Sequence, residues 1–135
     1  MGKRQLDELG SLQRQVMDIL WDRGESTVQT VRDALTDPDR TPAYTTILSV
    51  LQKLEKLGWV GHRRQGRTYV YHAVRSRGQA GVGSLRRIID QVFRGDPMEM
   101  FQHLLEEDAL SETELKSLEA MIAANRRERD ADVAE

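Results

Sequence analysis

The segment from Tyr44 to Val60 constrains the fold more than any other part of this chain. Its apolar side chains recur at the i, i+3, i+4 and i+7 spacing that a helix presents to a hydrophobic core. These residues are Ile47, Val50, Leu51 and Leu54. The opposite side of the same helix carries no apolar residue and holds Thr45, Ser49, Gln52, Lys53 and Lys56. Because Gly58 is a typical helix stop, the segment predicts one helix with a packing face and a polar face.

A short basic hairpin is predicted directly after this helix. Two strand-like runs, 60–64 and 67–74, flank a turn at Gln65-Gly66, and the second run contains several β-branched and aromatic residues. The hairpin carries Arg63, Arg64 and Arg67. A helix with a polar face followed by an arginine-rich hairpin is typical of a winged helix-turn-helix, a fold that binds DNA.

Two further helices are predicted before this pair of elements. The first runs from about Ser11 to Arg23 and stops at Gly24. A capping box of Ser26 and Gln29 opens the second, which ends near residue 35, and 36–42 has the composition of a turn. Each helix is too short to be stable alone, so we expect all three to share one core with the hairpin.

Charge is distributed unevenly, although the net charge of the chain is only −2. Residues 1–78 hold 13 Lys and Arg against 9 Asp and Glu, a balance of +4, whereas residues 79–135 hold 7 against 13, a balance of −6. Within 40–78 the count is 8 against 1, or +7. Since salt confines electrostatic contacts to about 10 Å, the local charge favours a nucleic-acid partner. The alternative is a solvated basic face without a partner.

The hypothesis is that the polar helix face enters the major groove of double-stranded DNA. Thr45, Thr46 and Ser49 would lie nearest the base edges, and the basic side chains would contact phosphates or, at the hairpin tip, the minor groove. For Tyr44, simple packing at the start of the helix is an equal alternative. The full set of candidate DNA contacts is Tyr44, Thr45, Thr46, Ser49, Gln52, Lys53, Lys56, Arg63, Arg64 and Arg67.

Three more helices are predicted after about residue 76. One ends at Gly95, the next begins with the N-cap Asp96 and Pro97, and the last opens with a capping box of Ser111 and Glu114. The predicted fold class is therefore mainly α with a small β-hairpin wing (α+β). The predicted division is a winged-helix DNA-binding domain over 1–75, a helical dimerisation domain over 76–125 and a frayed, charged tail over 126–135.

A helical region of this size rarely buries enough apolar surface to be stable by itself. We therefore expect it to pack against a second copy, which suits a protein that binds two DNA half-sites. The alternative is that these helices fold back on the N-terminal domain of the same chain. The candidate dimerisation residues are Leu85, Ile88, Ile89, Val92, Phe93, Phe101, Leu104, Leu105, Leu115, Leu118 and Ile122.

Composition excludes several other classes of protein. The chain has no cysteine, so disulfides and thiolate metal sites are ruled out. We see no signal peptide and no long apolar run, and we expect a cytoplasmic location without direct membrane binding. His62, His72 and His103 lie far apart and form no catalytic or metal-binding spacing, so we predict no enzyme activity, no metal and no cofactor. A histidine-metal or small-ligand sensor and a protein-interaction module remain the alternatives.

Five short motifs follow one another along nearly the whole chain. They are Val16–Trp21, Ala43–Thr46, Leu54–Val60, Val92–Asp96 and Leu110–Leu115. In this order they resemble the BlaI/MecI/CopY family of bacterial repressors. The resemblance implies a homodimeric winged-helix repressor that binds a palindromic operator near a promoter.

The resemblance also implies roles for particular positions. Thr46 matches a threonine of the recognition helix, while Ser49 and Lys53 replace its threonine and arginine by similar residues. In the β-lactam-responsive branch, a membrane-bound zinc-peptidase sensor triggers cleavage at an Asn-Phe bond, which aligns here with His103–Leu104. That bond is thus the candidate proteolytic switch, although its residues differ from the family's. The cysteine motif of the copper-responsive branch is missing, which excludes copper sensing through it.

Overall fold

The computed structural model describes residues 5–35 and 41–134. After a short 3-10 turn at Leu6–Glu8, it contains helices α1 (Ser11–Arg23), α2 (Val28–Ala34), α3 (Tyr44–Lys56), α4 (Arg77–Val92), α5 (Pro97–Glu106) and α6 (Glu112–Ala134). The strands are β1 (Ser26–Thr27), β2 (Val60–Gln65) and β3 (Thr68–Ala73). The predicted fold class is confirmed. Most of the predicted turn, residues 36–40, lies outside the described residues.

The sheet has three antiparallel strands in the order β1-β3-β2. Gln65 pairs with Thr68, so the hairpin closes through a two-residue turn of Gly66 and Arg67. Gly66 has a φ of +64°, and glycine at this first central position is typical of a type II′ turn. The strand β1 was not predicted, because two residues are too few to show an alternating pattern.

The start of α2 differs from the prediction of a Ser26–Gln29 capping box. The N-cap is Thr27, whose Oγ1 accepts a hydrogen bond from the backbone N–H of Thr30 at 3.1 Å. Ser26 belongs to β1, and its hydroxyl donates to the carbonyl of Gly24 at 3.0 Å. Pairing of Ser26 with β3 shifts the beginning of the helix by one residue.

The core of the N-terminal region joins α1, α2, α3 and the sheet. From α3 it takes Ile47, Leu51 and Leu54, each with no exposed surface, as the predicted packing face requires. Trp59 is also fully buried, and its ring meets that of Trp21 edge to face at 6.4 Å. The other fully or almost fully buried side chains here are Val16, Met17, Leu20, Val28, Val31 and Val60.

Contacts divide the described chain into two compact units, one ending at Arg87 and the other beginning at Ile88. The first half of α4 belongs to the first unit. Ala80 is fully buried, and the Ser84 hydroxyl donates to the Asp7 carboxylate at 2.9 Å. The Arg87 guanidinium pairs with the carboxylates of both Asp7 and Glu8.

The second unit consists of the end of α4 together with α5 and α6. Asp96 caps α5 by accepting from the Met98 N–H at 2.9 Å. The predicted capping box of α6 is present, since Ser111 and Glu114 exchange hydrogen bonds of 2.9 and 3.1 Å. Residues 126–134 continue α6, whereas the sequence predicts a frayed tail. Alanine, arginine and glutamate all have a high helix propensity, which favours helix in this charged segment.

Candidate nucleic-acid interface

The ten candidate DNA contacts are all exposed, on α3 and on the β2–β3 hairpin. On α3 all of them except Tyr44 lie away from the buried stripe of Ile47, Leu51 and Leu54, and Tyr44 lies beside that stripe. The hydrophobic core therefore needs none of the ten side chains. Lys53 and Lys56 have a second effect, since cations in the last turn stabilise a helix C-terminus.

The edge of α3 that faces the hairpin forms one wall of a cleft of about 450 Å³. We call it the tyrosine cleft. Its lining residues are Val28, Tyr44, Leu48, Gln52, Glu55, His62, Arg67, Thr68, Tyr69 and Tyr71. Tyr44 is 47% exposed, so its side chain lines this cleft and does not fill the core.

The three hairpin arginines have different surroundings. The Nη2 atom of Arg63 lies 2.8 Å from a carboxylate oxygen of Glu25. The hydrogen bond between them, together with their attraction, raises the pKa of Arg63 and lowers that of Glu25. The Nε atom of Arg64 donates to the carbonyl of Gly66 at 3.1 Å. Within the described ranges, Arg67 has neither an ion pair nor a hydrogen bond, so only this guanidinium is wholly available.

A contact that the sequence did not reveal joins α3 to the hairpin. The Nδ1 atom of His62 lies 2.5 Å from a carboxylate oxygen of Glu55. The ring of His62 also meets the rings of Tyr69 and Tyr71, with centroids 5.1 and 5.5 Å away. Glu55 is the one acid among residues 40–78, and a histidine follows it seven positions later. This spacing is the one feature of the sequence that could have suggested the contact.

The candidate dimerisation residues lie in both units of the chain. Those exposed are Leu85, Ile88, Val92, Leu104, Leu105 and Ile122, and those half-buried are Ile89, Phe93, Phe101, Leu115 and Leu118. Between 88 and 133 no side chain is buried. The second unit therefore presents apolar side chains that its own helices leave uncovered.

The candidate switch bond, His103–Leu104, lies inside α5. The imidazole of His103 is 5.8 Å from the ring of Phe93, and its side chain is 58% exposed. Because proteases bind extended backbone, cleavage at this bond requires α5 to unwind locally.

Residues 5–35 and 41–134 contain neither a metal-binding cluster nor a membrane-spanning helix. There, no three His, Asp or Glu side chains come close enough to hold a metal ion. Nor does any helix in these ranges combine the length and the apolarity that a bilayer crossing demands.

The sequence pattern of the penicillinase repressor family matches residues 9–124. This chain belongs to that family. The match confirms the predicted resemblance and includes α1 to α5 and the first half of α6.

Two curated relatives of this penicillinase repressor family member are named transcriptional regulator BlaI, from Mycobacterium tuberculosis strains CDC 1551 and H37Rv. Each is 43% identical over 79 residues, which are 58% of this chain and 56% of the relative. The match thus spans about half the length of these curated relatives. Both relatives carry the name of a regulator and not of an enzyme, in agreement with the predicted absence of enzyme activity.

Solved structures with the same fold have distant sequences. This chain superposes on the chain in the structure titled "The complex structure of hsRosR-S1" with a TM-score of 0.51 and 17% sequence identity. The superposition covers 77% of this chain and 95% of the hsRosR-S1 chain. The complex structure of hsRosR-S4 gives the same score and identity, with 92% of its chain covered. At this identity the likeness shows the fold alone.

Proposed function

We propose that this chain is a transcriptional repressor that binds a palindromic operator as a homodimer. The observation that carries the proposal is the division of α3, where one side is fully buried and the other is polar and exposed. Membership of the penicillinase repressor family and the names of its relatives support the same function.

In this proposal α3 lies in the major groove and the hairpin lies over the backbone and the adjacent minor groove. Thr45, Thr46 and Ser49 would contact base edges and set the preferred sequence. The lysines at the end of α3 and the hairpin arginines would contact phosphates and set the salt dependence. Arg67 would contribute most among the arginines, because Arg63 already holds Glu25.

A second copy would cover the apolar side chains of the second unit. Leu105 is 50% exposed, Val92 63% and Ile122 45%, and burying such side chains is the main driving force for association. Two linked DNA-binding domains gain affinity through their high effective concentration. Loss of the dimer would therefore release the operator.

Cleavage in the dimerisation region, triggered by a membrane-bound zinc-peptidase sensor, is the proposed route of derepression. The exposed position of α5, which has no buried side chain, supports local unwinding at His103–Leu104.

Selection of duplexes from a random pool by the full chain, followed by fluorescence anisotropy, tests the function. We expect a palindrome bound at least about a thousandfold more tightly than scrambled duplex of equal length. The variant Thr45→Ala/Ser49→Ala should keep the weak binding to scrambled duplex and lose most of the preference. Equal affinity of the unmodified chain for selected and scrambled duplexes would contradict the proposal.

A further inference from the structure

All three tyrosines of the chain line one cleft, that between α3 and the hairpin. Tyr44 comes from the first turn of α3, and Tyr69 and Tyr71 come from β3. The core does not require the first two, which are 47% and 45% exposed. Large aromatic side chains with a polar tip at an exposed surface are common in binding sites.

The cleft holds several polar groups without partners. In the part of the chain that the structure describes, the hydroxyls of Tyr44 and Tyr69 and the guanidinium of Arg67 make no hydrogen bond or ion pair. These are hydrogen-bond donors at one site, and one carries a full positive charge. The pKa of Tyr71 is raised by burial and then by Glu55, Tyr44 and Tyr69, which agrees with their closeness.

Glu55 is the one acid in the lining of the cleft. Its carboxylate already has a partner inside the chain. Its carboxylate is held by His62, and the ring of His62 is flanked by Tyr69 and Tyr71. The pair thereby fixes the hairpin against α3. An anion in the cleft would meet the free donors and Arg67, while one carboxylate oxygen of Glu55 contacts His62.

The position of the cleft indicates which kind of anion would bind there. The sugar-phosphate backbone separates the major from the minor groove in any duplex. If α3 lies in one groove and the hairpin tip in the other, this backbone must cross the space between them, where the cleft lies. Phosphate oxygens there accept hydrogen bonds from side-chain hydroxyls and arginine.

We propose that the tyrosine cleft binds one backbone phosphate of the operator, with the hydroxyls of Tyr44 and Tyr69 donating hydrogen bonds and Arg67 supplying the charge. The proposal rests on the proposed function and adds a site to it. It assigns DNA contact to Tyr69, and it makes Glu55 and His62 positioning residues that hold the hairpin.

The test uses the full chain and its selected operator, in which single phosphates are replaced in turn by uncharged methylphosphonates. For the unmodified chain, one replacement per half-site at the cleft should weaken binding about tenfold. Tyr69→Phe retains the ring that packs on His62 and loses only the hydroxyl. This variant should bind the natural operator about tenfold more weakly, and its penalty for that same replacement should be smaller than that of the unmodified chain, because only Tyr44 and Arg67 still contact the phosphate.

A second variant and a control define the result. Arg67→Gln should also reduce the penalty at this phosphate and flatten the salt dependence. Arg14→Gln, which changes an exposed arginine on α1, should alter neither quantity. Unchanged penalties at every phosphate in Tyr69→Phe, with operator preference intact, would overturn the cleft proposal and leave the proposed function standing. Absence of operator preference in the unmodified chain would instead remove the proposed function.

Competition with inorganic phosphate tests whether the cleft binds a phosphate of the DNA backbone or a free phosphate ion. We expect millimolar phosphate, at constant ionic strength, to compete equally weakly with DNA on the unmodified chain and on Tyr69→Phe. Strong competition that Tyr69→Phe abolishes, without any effect in the methylphosphonate series, would assign the cleft to a free phosphate and overturn the proposal.

Discussion

The carboxylate of Glu25 lies 2.8 Å from the Nη2 atom of Arg63, across 38 positions of sequence. This ion pair joins the loop before β1 to the hairpin. It occupies an arginine that the sequence assigns to DNA, and it separates Arg63 from Arg67, which has no such partner among the described residues.

The two arginines should therefore differ in their contribution to DNA binding. Arg67→Gln is expected to weaken binding to every duplex and to lower the slope of log affinity against log salt by about one. Arg63→Gln should lower the slope by less, because its charge is already balanced by Glu25. Anisotropy titrations at several salt concentrations measure both slopes, and equal losses would contradict the distinction.

The same ion pair has a consequence for acid titration. Because Arg63 donates a hydrogen bond to Glu25 and attracts it, the pKa of Glu25 is lowered from 4.5. A carboxyl with a depressed folded pKa contributes stability above its unfolded pKa, and this contribution is lost as the pH falls through the folded pKa. NMR titration of the Glu25 carboxyl should show the low pKa, and Arg63→Gln should return it towards 4.5. A pKa unaffected by Arg63→Gln would exclude the pair in solution.

Ser49 should determine which sequence is bound and should have little effect on stability. It is exposed at the centre of the polar face of α3, so Ser49→Ala removes a hydroxyl that makes no hydrogen bond within 5–35 and 41–134. Repeating the selection from random duplexes should yield a different base at one position per half-site, at a discrimination of about 1–3 kcal/mol. An identical selected sequence would place Ser49 away from the bases.

A charge on the apolar surface of the second unit should separate the proposed dimer. Leu105 is 50% exposed on α5, and Leu105→Glu would bury an unpaired carboxylate in an interface. Analytical ultracentrifugation should show monomers, and operator affinity should fall by about a hundredfold or more. Ala120→Glu, on the polar side of α6, is the matched control. A dimeric Leu105→Glu variant with full affinity would remove Leu105 from the interface.

Thr27 and Gln29 provide a test of how α2 begins. Thr27→Ala removes the side chain that caps the Thr30 N–H and should cost about 1 kcal/mol in the free energy of unfolding. Gln29→Ala removes only an exposed hydrogen bond to Asp33 and should cost about 0.3 kcal/mol. Urea denaturation of both variants measures these two costs. If the Ser26–Gln29 box capped the helix instead, Gln29→Ala would cost more than Thr27→Ala.

The elements that could be predicted from the sequence are those with local causes. The period of Ile47, Leu51 and Leu54 fixes the packing face of α3, and Gly24 and Gly58 end two helices with positive φ. Asp96 and Ser111 cap α5 and α6 as their spacing indicates. In each case, the residues that determine the structure lie within about one or two helical turns.

The features that could not be predicted depend on tertiary contact. The strand β1 exists only because Ser26 and Thr27 lie beside β3. The ion pair of Glu25 and Arg63 and the convergence of the tyrosines likewise arise when distant segments fold together. Composition shows where the basic residues lie in the sequence, but it gives no information on which of these cations are already paired.

The separation of the two sides of α3 also affects how such a regulator can evolve a preference for a new DNA sequence. Thr45, Ser49 and Gln52 are exposed and lie outside the core, so a substitution at any of them carries little risk of unfolding the chain. Gene duplicates that share one scaffold can in this way acquire new target sites in single steps, without first accumulating compensating changes in the interior.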